Sequence, residues 1–219
     1  MRLFYSFLTL FLICCPPVLA AKPLPYDTKP YRLTSEDKEE LTRIEKYLGS
    51  LRTISSEFTQ GAPNGDISTG KFYLERPGRL RMEYDAPMPV LMVAAGSDIV
   101  YYDKELDQVT HIPLEDTLVG FLARDTIKFD AAVTITSFER GSGTLRLSLI
   151  QTKRPRDGML TLEFSDKPLL IRNMVVTDSA GQMTTVALNN ARFDLPLSKD
   201  LFIFKDPHLG SKAGINKGR

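Results

Sequence analysis

From Thr53 onward the chain alternates apolar and polar residues with a period of two, and that pattern admits little besides antiparallel sheet. Residues 53–60, 67–76, 80–85, 90–95, 98–102, 108–112, 131–138, 144–150, 159–164, 171–177 and 183–188 all read as strands. Short polar or glycine-bearing turns join many of them, at 62–66, 96–97, 141–143, 165–168 and 179–181. Strands at this spacing predict a meander that curls into a barrel or half-barrel, a mostly β fold with a few helices. Ahead of the strands, residues 34–51 form the clearest helix. Thr34 or Ser35 caps it, Glu36, Asp37, Glu39 and Glu40 suit the positive end of its dipole, and Leu41, Ile44, Leu48 and Leu51 make an apolar stripe suited to covering a sheet.

One segment interrupts the alternation. In 113–125 (PLEDTLVGFLARD), Leu114, Leu118, Phe121 and Leu122 fall at helical spacing, while Val119 and Gly120 weaken an isolated helix. Two readings stay open: a marginal element that closes over something, or a loop helix packed permanently on the end of the sheet.

Residues 70–84 (GKFYLERPGRLRMEY) read as a hairpin around Pro77-Gly78, and its register decides where Arg76 points. A two-residue loop would pair Arg76 with Arg79 and mix charge with apolar groups on both faces. A loop one residue longer pairs Arg76 with Leu80, Leu74 with Met82 and Phe72 with Tyr84, and turns Lys71, Glu75, Arg81 and Glu83 to water. Because a one-residue slip moves every side chain to the other face, the second register is expected. Arg76 is then the lone charge beside five apolar residues, and a charge so placed needs partners or a task.

The N-terminus sets the compartment. Met1-Arg2 precedes an apolar run over residues 3–13 that is too short to span a membrane, and Val18-Leu19-Ala20 resembles a signal-peptidase site, so residues 1–20 are expected to be a cleaved leader. Cys14 and Cys15 lack the small preceding residue of a lipoprotein signal and leave with the leader, which gives an exported chain without disulfide, thiolate or cysteine metal ligand. Losing Arg2 leaves 27 basic against 27 acidic residues, with no footprint for nucleic acid. Residues 21–33 read as an extended proline-rich arm, 34–206 as one domain and 207–219 as a disordered basic tail.

No catalytic constellation is present. Of the two histidines, His208 lies in the tail and His111 on a strand; no GxSxG, HExxH or phosphate-binding glycine loop occurs. Neither an enzyme, a metal site nor a cofactor is expected. Adaptable apolar residues are plentiful instead: Met82, Met88, Met92, Met159, Met174 and Met183 suit an irregular cavity. Residues 90–95 (VLMVAA) are apolar on both sides, as in a strand covered on both faces.

Arg76-Pro77, the strand ending at Tyr84, Pro87, the strand 90–95, Gly96-Ser97-Asp98, the strand 99–102 and the helix ending Phe121-Leu122-Ala123-Arg124-Asp125 together resemble the outer-membrane lipoprotein carrier (LolA) family. The passage 51–60 (LRTISSEFTQ), with its Phe58-x-Gln60 end, is similar to the family's opening helix-to-strand segment, and the likeness runs over most of 34–204. The resemblance implies an unclosed antiparallel β-barrel, a half-barrel, with a helical lid over an apolar cavity. It implies a soluble periplasmic shuttle, a monomer, that takes acylated lipoproteins from an inner-membrane ABC transporter and passes them to an outer-membrane acceptor lipoprotein or to the membrane itself. Arg76 corresponds to the family's gating arginine, which bonds lid carbonyls in the closed, empty state. On this reading Phe72, Leu74, Leu80, Met82, Tyr84, Leu91 and Val93 line the lipid-binding cavity, and Leu118, Phe121 and Leu122 form the lid. For residues 90–95 the pattern leaves the inward face open, and the Leu91 and Val93 side is taken. A lipid-sensing or regulatory module on the same half-barrel is the alternative, and a small periplasmic hydrolase a third reading.

Overall fold

The computed structural model describes residues 24–117 and 119–208; the leader expected at 1–20, residues 209–219 of the expected tail and the expected lid residue Leu118 lie outside them. Among the described residues one α-helix, α1 (Ser35–Ser50), precedes β1 (Thr53–Gly61), β2 (Ile67–Glu75), β3 (Arg79–Tyr84), β4 (Val90–Ala95), β5 (Asp98–Asp103) and β6 (Gln108–Pro113). Two 3-10 helices follow, η1 (Leu114–Asp116) and η2 (Val119–Ala123). The chain then continues through β7 (Val133–Gly141), β8 (Thr144–Gln151), β9 (Met159–Ser165), β10 (Leu170–Thr177), β11 (Met183–Phe193) and a third 3-10 helix, η3 (Lys199–Phe202).

All eleven strands form one antiparallel sheet in the order β6-β5-β4-β3-β2-β1-β11-β10-β9-β8-β7. The sheet is two meanders joined where β11 pairs with β1, and its edges β6 and β7 do not pair with each other among the described residues: a half-barrel. The segment between those edges, carrying η1 and η2, links the two sides of the opening. Residues Leu41, Ile44 and Leu48 of α1 pack with Phe121 and Leu122 of η2 and with the inner sheet residues Phe58, Phe72, Leu147, Leu160 and Leu162 into one apolar core. Burying each such side chain contributes about 1.5–3 kcal/mol, so the inner face is the main source of stability.

The start of α1 is fixed by a capping box. Thr34 Oγ1 accepts from the Asp37 N–H at 3.1 Å, and Asp37 Oδ2 accepts from the Thr34 N–H at 2.8 Å. Asp37 also pairs with Arg140 of β7 at 2.8 Å. Its carboxyl is held below the ordinary value of 3.8, first by the Thr34 hydrogen bonds and then, against the opposing effect of burial, by Arg140.

The hairpin of β2 and β3 keeps the expected faces with different partners. Leu74 stands opposite Leu80, not Met82; Phe72 opposite Met82, not Tyr84; and Gly70 opposite Tyr84. The three-residue loop sits one residue earlier than expected, at Arg76, Pro77 and Gly78, where Gly78 supplies the positive φ of +72°. Arg76 spends its N–H on the Arg52 carbonyl at 3.0 Å, so it takes no strand partner. A shift by an even number of positions preserves the alternation, and Arg76 stays on the inner face.

The segment 113–125, expected as a helix, is not an α-helix but the two 3-10 turns η1 and η2. Thr117 accounts for the break: its hydroxyl donates to the Leu114 carbonyl at 2.8 Å and accepts from the Gly120 N–H at 3.0 Å, displacing the α-helical ladder.

Two tests follow from the packing. A Cβ on Gly70 would lie 2.2 Å from the Glu83 carbonyl oxygen and 2.7 Å from the Phe58 ring, whereas one on Gly49 meets nothing within 4 Å. Gly70→Ala is expected to lower denaturant stability by at least about 1–3 kcal/mol, and Gly49→Ala to raise it by about 0.5–1 kcal/mol. The depressed Asp37 pKa stabilises the fold at pH above 3.8, and that contribution fades as pH falls through the lower native value. Asp37→Asn should therefore lower Tm at neutral pH and converge on the parent as the pH drops, measured as Tm against pH.

Candidate functional site

An α-helix ends with four unpaired carbonyls and a partial negative charge, and the last turn of α1 carries no basic residue of its own. The missing cation comes from the β2–β3 turn. Arg76 is 6% exposed, and its Nη1 donates to the Leu51 carbonyl at 2.9 Å and also to the Leu48 carbonyl. Its Nε donates to the Leu122 carbonyl of η2 at 2.6 Å. One guanidinium thus joins the sheet, the helix and the crossover segment. The neighbouring backbone repeats the link, since the Gly78 N–H donates to the Ala123 carbonyl at 2.8 Å and the Gly96 N–H to the Gly78 carbonyl at 3.1 Å.

No carboxylate pairs with Arg76 among the described residues; its acceptors are all backbone carbonyls. Burial, and then repulsion from Arg52, pull its pKa down to about 10 against the attraction of Asp194, which leaves it cationic at neutral pH. Each charge-assisted bond contributes about 1.5–3 kcal/mol. The third guanidinium nitrogen, Nη2, is buried with no acceptor, and such a group costs about 1–3 kcal/mol. The latch is strong but incompletely satisfied.

Around Arg76 the inner wall is apolar. Phe72, Leu74, Leu80, Met82 and Tyr84, all expected inside, are buried there. The Tyr84 ring meets Phe58 edge-on at 5.0 Å and its hydroxyl donates to Gln60 Oε1 at 2.7 Å. Burial, followed by the neighbouring Tyr101, pushes the Tyr84 pKa up to about 12, so the wall carries no ionised phenol at neutral pH. Leu91 and Val93, expected on the inner wall, lie on the opposite face. Pairing of Met82 with Met92 and Leu80 with Ala94 puts Val90, Met92 and Ala94 inside. Val93 is buried all the same, on the outer face where η3 packs on β3 and β4, with the Leu201 carbonyl accepting from Arg81 at 3.1 Å. That covering segment, more than a hundred residues away in sequence, is why the strand is apolar on both sides.

Of the expected lid residues, Phe121 and Leu122 are buried against the core. Phe121 stacks on Phe129 at 5.7 Å, and the Arg124 guanidinium lies 5.2 Å from its centroid on the outside. A cavity of about 420 Å³ opens beside η2, lined by Leu114, Phe121, Gly96, Asp98, Glu115 and Arg124 among others. The Leu48 and Leu51 acceptors were invisible to sequence reasoning, because a backbone carbonyl carries no residue signature. The lack of a cation in the last turn of α1 was the one available hint.

A family model described as outer membrane lipoprotein carrier protein LolA matches residues 49–205. An outer-membrane lipoprotein carrier protein of Legionella pneumophila is 30% identical over 172 residues, covering 75% of this chain and 84% of that protein. One from Pseudomonas syringae is 28% identical over 200 residues, covering 87% and 94%. A solved LolA superfamily protein of Nitrosomonas europaea superposes with a TM-score of 0.44 at 11% identity, covering 75% of this chain and 97% of that one.

The crossover segment offers a direct test of how tightly η2 is seated. A Cβ on Gly120 would lie 2.0 Å from the Leu114 carbonyl oxygen. Gly120→Ala is expected to speed amide hydrogen exchange across residues 114–123 while leaving β8–β10 protected. Unchanged exchange over 114–123 would contradict this packing.

Proposed function

The chain belongs to the outer-membrane lipoprotein carrier (LolA) family, and on that premise we propose that it is a periplasmic carrier that shields the acyl chains of lipoproteins. On this reading it receives them from an inner-membrane ABC transporter and delivers them to an outer-membrane acceptor or to the membrane itself. An acyl chain exposed to water is penalised by about 0.8 kcal/mol per methylene, so the anchors need cover across the aqueous gap. The carrier also has to release them without fuel, which tight apolar burial alone would prevent.

The observation that carries the proposal is the buried Arg76, bonded to carbonyls of both α1 and η2 above an apolar wall. The interior is filled by the protein's own side chains from α1, η2 and the sheet, so acyl chains enter only by displacing them. Displacement breaks the Arg76 bonds, and the loaded state carries that penalty until the cargo leaves. The latch returns on release, which makes delivery downhill. Phe72, Leu74, Leu80, Met82 and Tyr84 form the wall in this scheme, Phe121 and Leu122 the moving cover, and Arg76 the gate.

Arg76→Leu removes three bonds of about 1.5–3 kcal/mol each from the empty state. The variant is expected to accumulate acylated lipoprotein when purified from its native periplasm, read by mass spectrometry of organic extracts, and to fail in transfer to acceptor membranes. Transfer at the parental rate would contradict the gate.

A further inference from the structure

A guanidinium has five N–H donors, and in Arg76 only three are used: Nε–H on Leu122 and the two Nη1 hydrogens on Leu48 and Leu51. Both Nη2 hydrogens are buried and without an acceptor, and Nη2 is the one buried side-chain nitrogen or oxygen in that condition among the described residues. A protein that pairs its other buried polar side-chain atoms and leaves this one open presents a vacant donor site rather than a packing fault. The flanking side chains on the same face, Leu74 and Leu80, are apolar and buried.

We infer that Nη2 of Arg76 is the docking point for an ester carbonyl of the cargo's diacylglyceryl group, an inference that rests on the carrier reading. The chemistry of the vacancy selects the ligand. Its surroundings favour a hydrocarbon chain, while the donor requires an oxygen acceptor at the end of that chain. An acyl ester supplies both, because its carbonyl marks where the chain meets the polar head. Arg76 sits in the turn at the end of β2 and β3, so chains lying along Phe72, Leu74 and Leu80 bring their carbonyls to it. The cavity of about 420 Å³ lies against the same turn, bounded by Gly96 and Ala123, the two residues hydrogen-bonded to Gly78, and it gives the glyceryl head room. One or two ester carbonyls replace three backbone acceptors on loading, so the guanidinium is partly paired in the loaded state and release remains downhill.

The test compares a synthetic lipopeptide bearing two ester-linked chains on a glyceryl-cysteine with its dialkyl-ether counterpart of equal chain length, binding measured by fluorescence displacement. The purified full-length mature protein is expected to bind the ether form roughly tenfold more weakly, the loss of one hydrogen bond to a charged donor. Arg76→Leu is expected to bind both alike. Equal affinities in the parent protein overturn the ester site and leave the carrier reading intact, whereas failure to bind either lipopeptide overturns the carrier reading itself. A free fatty acid binding more tightly than the ester lipopeptide overturns the assignment in favour of an anion. The parent comparison alone decides the matter should the variant not fold.

Discussion

The carbonyls at the C-terminal end of α1 have no intrahelical partners, and the arrangement of the opening follows from how they are satisfied. The helix supplies no cation near its end, so the β2–β3 turn does, and the same side chain reaches the η2 backbone. A buried charge with carbonyl partners and no counter-ion is stable only while all three elements stay in place. This makes Arg76 sensitive to displacement of any one of them. A leucine at that position would pack well enough, but it would not report on the position of the helix or the cover.

The attachment of α1 is uneven. Toward β7–β10 it is tied by Arg140 to Glu36 and Asp37, by Arg43 to Asp166, and by the Tyr47 hydroxyl accepting from the Ile171 N–H at 3.1 Å. On the β2–β3 side the polar ties are the Arg76 guanidinium and the Gly78 N–H on the Ala123 carbonyl of η2. The exposed Arg52–Asp125 pair, which links the helix end to the segment after η2, is solvent-screened and adds little. Separation of the β2–β3 hairpin from α1 and η2 therefore turns on one side chain and one backbone bond, whereas movement of α1 off β7–β10 breaks contacts made by four helix side chains, Glu36, Asp37, Arg43 and Tyr47.

Period-two alternation located all eleven strands, and the capping residues located α1, because both signals are local. The inward placement of Arg76 was also legible, since parity survives a register shift of two even though the pairing of Leu74 and Phe72 was displaced by the loop at Arg76–Gly78. Three features were hidden. The face of β4 is ambiguous in sequence because η3 covers its outside, and nothing in residues 90–95 announces a segment at 199–202. The crossover segment reads as an α-helix by its leucine spacing, yet Thr117 bonds Leu114 and Gly120 and turns it into two 3-10 pieces. The partners of Arg76 are backbone atoms, which no side-chain pattern encodes.

The central claim is that the Arg76 guanidinium bridges helix and cover in the empty protein and leaves them when cargo is bound. Nuclear magnetic resonance of the arginine Nε–H groups reads this directly, because the Arg76 Nε–H is buried on the Leu122 carbonyl. The account predicts a slowly exchanging Arg76 Nε–H in the empty protein that shifts and loses its protection when an acylated lipopeptide is added. An Arg76 Nε–H with the same shift and exchange rate in the empty and loaded protein would contradict it.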